Sequence, residues 1–255
     1  QTANVATAKE VSRLLATAAA GESPVLWLDS DPRINHGSGL SSWTAQSGGQ
    51  FEARGLDPWR QANLAFGLAP DAKGGVGIIG SSAQNPVNPT AGSILFFCRP
   101  DRNHTPPFLL FSKAEWGAPG YLSLRINERG NQWELALGLA NSSARGKASQ
   151  LNLARMQPDE WHFIALTWQE SEGITLFRYW AGSLSTGELT EGEYRGEPIG
   201  TAPGMLVIGG RHTDVVTQFR TPPLLFSGGL FRHFAIYDRV VPEDTIKRLF
   251  VASCR

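Results

Sequence analysis

The segment Gly75-Val76-Gly77-Ile78-Ile79-Gly80 satisfies G-x-G-x-x-G, the spacing with which a strand-to-helix turn cradles a phosphate. That chemistry needs a helix N-terminus straight after the turn. The chain continues instead as Ser81-Ser82-Ala83-Gln84-Asn85-Pro86, with Pro89 close behind, so the match is accidental. No G-x-S-x-G elbow occurs, and Cys98 and Cys254 lack a neighbouring histidine and lie too far apart for a CxxC motif. His36, His104, His162, His212 and His233 show no H-E-x-x-H spacing, and His162, within an apolar run, reads as a hydrogen-bonded core residue. Glycoside hydrolysis needs two carboxylates about 5–10 Å apart, which on a strand means acidic residues two or four apart on one face. No predicted strand offers that pair; Glu188, Glu191, Glu193 and Glu197 fall in a polar stretch, 182–200, that reads as a surface loop or hairpin. A lyase built on scattered His, Tyr and Arg would leave no such motif.

Recognition chemistry is better supplied. A sugar's apolar face stacks on an indole while its hydroxyls take polar side chains, and the chain carries eight tryptophans. Trp27, Trp161 and Trp168 sit in apolar runs and are expected in the core. Trp59, in Asp57-Pro58-Trp59-Arg60, and Trp116, in Glu115-Trp116-Gly117, stand in polar or turn contexts and are the candidate platforms. Two polar loops add candidate contacts: Arg102 and His104 around Asn103, and Arg211 and His212 before Thr213-Asp214.

The elements that must position these residues are mostly strands. The 255 residues include 28 Gly and 16 Pro, a turn-rich composition. Short apolar runs bounded by Gly, Pro, Asn and Ser at 25–28, 76–79, 93–99, 108–112, 121–126, 133–139, 161–168, 174–180, 205–208 and 230–237 predict strands without intervening helical periodicity. A parallel α/β enzyme fold is thereby disfavoured. The run Trp161–Trp168 is apolar at both alternating sets of positions, which marks a central strand covered on both faces. Val11, Leu14, Leu15 and Ala18 fall on one face of an N-terminal helix that either packs on the body or ends an upstream linker. Pro242, Ile246, Leu249 and Phe250 predict a short closing helix. The division is residues 1–22 for the helix or linker end and 23–255 for one domain.

Twenty-three basic and 23 acidic side chains cancel, and no Lys/Arg run tracks a phosphate backbone, which argues against nucleic acid. No stretch reaches the roughly 18 apolar residues of a membrane span. Cys98 and Cys254 either pair or stay apart. The chain opens at Gln1 without a Met, a basic n-region or an apolar h-region, and reads as a mature or trimmed form.

The succession of motifs resembles the bacterial LamG-like (laminin G, concanavalin A-like) sandwich domains. It runs from Leu26-Trp27-Leu28-Asp29, through Leu40-Ser41-Ser42-Trp43 and Ser47-Gly48, to Phe111-Ser112-Lys113 and Gly120-Tyr121-Leu122-Ser123-Leu124. Trp161-His162 through Thr167-Trp168, Leu206-Val207-Ile208-Gly209, and Gly229-Leu230-Phe231 into Ala235-Ile236-Tyr237-Asp238-Arg239 complete the order. The resemblance covers about residues 24 to 251. It implies an all-β, two-sheet antiparallel jelly-roll sandwich, and an exported module, secreted, periplasmic or on a cell surface, that recognises a polysaccharide or glycoprotein without catalysis. Folds of this kind also host polysaccharide lyases and hydrolases, and attachment domains of surface or viral fibre proteins.

Two departures bear on metal. Arg232-His233 stand where the family carries Asp-Glu, and Tyr179-Trp180-Ala181-Gly182 replaces a D-G turn. Both remove oxygen ligands, and calcium takes six to eight of them. No cofactor is required by any motif, and Asp29, Asp31 and Asp214 are the remaining candidate calcium ligands.

Overall fold

The computed structural model describes residues 10–16, 18, 24–28, 42–44, 50–54, 59–62, 65–68, 76–79, 87–114, 117–118, 120–140, 148–200, 205–210, 225–226 and 228–254, with backbone alone in the strands between 42 and 79. Helix α1 spans 10–16. The strands are β1 (Leu26–Leu28), β2 (Ser42–Thr44), β3 (Gln50–Arg54), β4 (Trp59–Ala62), β5 (Ala65–Leu68), β6 (Val76–Ile79), β7 (Ala91–Arg99) and β8 (Phe108–Lys113). They continue with β9 (Leu122–Arg129), β10 (Gln132–Ala140), β11 (Ala148–Met156), β12 (His162–Ser171), β13 (Ile174–Ser183), β14 (Leu189–Gly196), β15 (Leu206–Ile208) and β16 (Leu230–Tyr237). Helix α2 (Glu243–Ser253) closes the chain.

Two eight-stranded antiparallel sheets form the body. One, sheet 1, runs β14-β13-β12-β7-β16-β5-β4, with β1 also on β16; the other, sheet 2, runs β11-β10-β9-β8-β15-β6-β3-β2. All ten strands expected from the apolar runs are present. Those not foreseen are short or polar: β2 to β5, β11 and β14.

Alternation on the central strands builds two cores. Ile94, Phe96 and Cys98 of β7 and Ile164, Leu166 and Trp168 of β12 face sheet 2, meeting Phe111, Leu124, Ile126 and Leu137. Leu95, Phe97, Phe163 and Ala165 face the other way and meet Val11 and Leu15 of α1 and Ile246, Leu249 and Phe250 of α2. Burying each of these large side chains contributes about 1.5–3 kcal/mol. The N-terminal helix thus packs on sheet 1, and the Tyr237 hydroxyl donates to the Leu15 carbonyl at 2.5 Å. Burial pushes the ionisation of that phenol upward. Ser93 ties down the run into α2: its hydroxyl donates to the Arg239 carbonyl and accepts the Val241 amide, each at 2.8 Å.

Trp27 and Trp168 are buried as expected. Trp161 is not: it lies half-buried just outside β12, where its indole carries the Arg232 guanidinium 4.1 Å from the ring centroid. The start of the apolar run lies at the margin of the outer core, against which this tryptophan packs while staying partly exposed. Cys98 is buried and Cys254 exposed, and both are free thiols.

Trp168 lies against the backbone of the neighbouring strand, its Nε1 donating to the Asn88 carbonyl at 2.7 Å. A Cβ at Gly92 would collide with its ring. Gly92→Ala is expected to cost about 1–3 kcal/mol, as overpacking does. Urea unfolding reads this as a lower midpoint with an unchanged slope; a midpoint equal to that of the parent would refute the close approach.

Candidate functional site

The sandwich opens along one side, between β11 at the edge of sheet 2 and β13–β14 at the edge of sheet 1. The cleft there has a volume of 740 Å³ and is lined by Glu134, Asn152, Leu153, Ala154, Arg155, Gln157, Glu160, His162, Ala181, Ser183, Thr186, Glu188 and Thr190. The side chains on its floor are the inward positions of sheet 1: His162 pairs with Ser183, and Ala181 with Ile164 and Thr190. Its other wall is strand β11, whose Asn152 donates to Glu134 across the ladder at 2.7 Å.

Charge in the cleft is held by hydrogen bonds. Glu160 accepts from Ser185 Oγ at 2.7 Å and Ser183 Oγ at 3.0 Å. The Ser185 bond above all, with Ser183 and nearby His162, holds this carboxylate below its ordinary range. It stays an anion and an acceptor, the opposite of the raised carboxyl that protonates a glycosidic oxygen. His162 Nε2 stands 3.1 Å from the Gln157 amide nitrogen and 2.9 Å from its carbonyl oxygen. Burial pulls the ring below the ordinary histidine range, opposed by the Gln157 carbonyl and Glu160, and so favours the neutral imidazole.

Glu134 and Asn152 also border a depression on the outer face of sheet 2, beside Arg125, Asn127 and Gln150. Polar lining therefore continues from the cleft around the β11 edge. Carboxylate, amide, hydroxyl and guanidinium groups alternate there with Leu153, Ala154 and Ala181, a mixture suited to a ligand that is hydroxylated at its rim and apolar on its faces.

The stretch 182–200 corrects one expectation. Its middle is strand β14, an exposed edge, and Glu191 and Glu193 do fall two apart on one face of it. Both have partners. Glu191 accepts from Trp180 Nε1 at 3.0 Å and pairs with Lys247 of α2 at 2.9 Å, while Glu193 lies 3.7 Å from Arg178. Lys247 first, then Trp180, holds Glu191 low.

The residues foreseen from sequence fall elsewhere. Arg102 donates through its backbone amide and Nε to the Asp159 carboxylate, and His104 Nδ1 stands 3.4 Å from Asp101. Both lie in the turn after β7 and neither lines the cleft. Trp59 opens β4, at the edge of sheet 1 opposite β14. Trp116, Arg211, His212, Asp29, Asp31 and Asp214 lie outside the described residues. Among the described residues no group of three or more His, Cys, Asp or Glu side chains could hold a metal ion. No described helix is long and apolar enough to cross a membrane.

No family model and no curated protein matches the chain in sequence. Solved structures do match in shape. The binding domain of botulinum neurotoxin serotype D aligns over 93% of this chain at TM-score 0.56 and 13% identity. The binding domain of botulinum neurotoxin DC, in complex with rat synaptotagmin II, aligns over 90% at TM-score 0.57 and 14% identity. This chain spans about half the length of each toxin domain, 52% and 51%. Domain 4 of AbnA, an extracellular GH43 arabinanase from Geobacillus stearothermophilus in complex with arabinotriose, aligns over 89% of this chain and 97% of its own at TM-score 0.54 and 13% identity. At these identities the likeness establishes the two-sheet β-sandwich and nothing finer.

His162 gives the cleft a pH signature. Its folded value lies below the ordinary 6.5, so in acid the unfolded chain binds a proton that the folded chain resists. The contribution is complete above pH 6.5 and is lost as the pH falls below it. His162→Gln should therefore flatten the acid-side fall of the melting temperature between about pH 7 and about pH 5. Parallel curves for parent and variant would refute the buried neutral ring.

Proposed function

We propose that this domain is a non-catalytic recognition module of an exported protein and that its ligand is a glycan. The carrying observation is the side cleft, where Glu134, Asn152, Arg155, Glu160, Ser183 and Thr190 offer donors and acceptors beside small apolar side chains. A sugar presents hydroxyls at its edge and C–H groups on its faces, and such a wall satisfies both. Glu160 is held as an anion, which suits accepting a hydroxyl and not protonating a leaving group. The LamG-like motif order is consistent with this role. Arabinotriose on an arabinanase domain of the same fold supports it by analogy.

The rim residues foreseen from sequence extend the proposal. Trp59 and Trp116 would serve as stacking platforms, and Arg102, His104, Arg211 and His212 as polar contacts at the loops. Recognition is proposed to need no metal. If calcium contributes, Asp29, Asp31 and Asp214 are the groups to supply it.

A glycan array run with and without calcium, followed by calorimetry on the best binder, tests this reading. Asn152→Ala and Glu160→Gln should each weaken the affinity about tenfold or more, the worth of a hydrogen bond to a charged or bridging group. Affinity that survives both changes but falls with Trp59→Ala and Trp116→Ala would move the site from the cleft to the rim. Release of reducing or unsaturated ends from any polysaccharide on the array would replace binding with catalysis.

A further inference from the structure

A second cluster of polar side chains lies on the outer face of sheet 1, on the other side of β12 from the cleft. Arg99 ends β7 and Arg232 lies on β16. The ladder pairs Arg99 with Leu230 and Arg232 with Phe97, so the two arginines are diagonal neighbours on one face. Diagonal pairs of this kind stand about 7–8 Å apart at the backbone, within reach of long side chains.

Among the described residues no carboxylate cancels their charges. The nearby Asp159 carboxylate is taken up by Arg102, which binds one oxygen through its backbone amide at 3.1 Å and the other through Nε at 3.0 Å. Among the described residues Arg99 donates through Nε to the Asp159 carbonyl, at 3.1 Å, and not to its carboxylate. Arg232 Nε is buried without a hydrogen-bond partner, and among the described residues neither Arg99 nor Arg232 forms a salt bridge. Burial first, then the charge of Arg99, works against the ionisation of Arg232. Guanidinium groups do not give up their proton in proteins, so two like charges are held together at a cost. The Trp161 face beneath Arg232 fixes the guanidinium plane, as a cation–π seat does.

We propose that Arg99 and Arg232 form a carboxylate-binding subsite for an acidic saccharide, with Trp161 orienting the Arg232 fork. A guanidinium fork matches the two oxygens of a carboxylate. The half-buried indole leaves apolar surface beside it, and a uronate ring carries its carboxylate next to a C–H face, whereas an aspartate or glutamate of a peptide carries it on a flexible stem. The saccharide part of this inference rests on the glycan reading. The anion part stands on its own residues and on a face the cleft does not share.

Calorimetry with tri-galacturonate, a neutral galactose trisaccharide and tri-glutamate tests it in the intact chain. Tri-galacturonate should bind at least about tenfold tighter than the neutral trisaccharide, and the preference should shrink with added salt. Arg232→Gln and Arg99→Gln should each abolish that preference, and Arg232→Lys should not restore it, because a lysine lacks the fork. Arg99→Gln should also raise the melting temperature of the free protein by removing the repulsion, a change a merely structural arginine would not give. Equal affinity for charged and neutral trisaccharides, or a preference unaffected by Arg232→Gln, would overturn the proposal. Loss of tri-galacturonate binding with Asn152→Ala and Glu160→Gln, but not with the arginine variants, would overturn it while leaving the cleft reading intact. Tighter binding of tri-glutamate would overturn the saccharide assignment.

Discussion

Burial of sheet 1 on both faces is the constraint on which the rest depends. Its central strands β7, β12 and β16 send one set of side chains against sheet 2 and the other against α1 and α2. A sheet covered on one side alternates apolar with polar residues, and one covered on both does not. Phe96 and Phe97 are adjacent in sequence and both buried, as are Phe163 and Ile164, because each partner faces a different core. The helices are therefore part of the fold's stability. Without them Leu95, Phe97 and Phe163 would stand in water, at a cost of about 1.5–3 kcal/mol each. The exposed ion pairs of Lys247, with Glu243 within α2 and with Glu191 of β14, add little beside that burial, because solvent screens them.

Both proposed recognition surfaces lie where that double cover stops. The side cleft forms because β11 and β14 are edge strands and nothing in the described chain bridges them. The arginine pair forms at the end of β7 and near the start of β16, beside the approach to β12, where Trp161 is only partly buried while Phe163, two residues on, is sealed. The approach to β12 and its first residue thus supply both sites by alternation alone: Glu160 and His162 turn to the cleft, and Trp161 turns to the arginines.

The same physics explains what could be read in the sequence. Strands buried on both faces or rich in large apolar residues were legible because their runs contrast with the turns between them. Strand β11 (ASQLNLARM) and β14 (LTEGEYRG) were not, since each is an edge with one wet face and little apolar contrast. Gly192 in β14 was a further disguise: it reads as a turn residue, but it is small because Tyr179 lies where a side chain would be, with its hydroxyl oxygen 2.6 Å from an added Cβ. Without β14 as a defined strand, the shared face of the carboxylates at 191 and 193 was not legible, and missing β11 hid the cleft wall. The cleft could not have been found by spacing, because Glu134, Asn152, Glu160 and Ser183 come from separate segments that only the ladder order brings together. Trp161 misled for a different reason, since composition marks a run as apolar without saying where its cover ends.

One irregular residue joins the core to the outer surface. The register of β16 against β7 shifts between Arg232 and Ala235, and His233 in the gap has φ of 49°, rare for a residue with a side chain. Strict alternation would send Phe231 and Phe234, three apart, to opposite faces. The extra residue of a bulge puts them on the same face. Both then pack on Phe96, with ring centroids 6.0 and 5.2 Å away. The split also divides the strand's free edge, so that β5 pairs at Phe231 and β1 takes over from Phe234 to Ile236. Arg232 and Ala235 are left on the outer face, and His233 lies edge-on to Phe97 at 5.9 Å. An acidic pair at 232–233 would place a carboxylate beside Arg99 and neutralise it. Arg232 instead adds a second positive charge beside Arg99, at a position where the bulge, needed by the aromatic core, already obliges the chain to project a side chain outward.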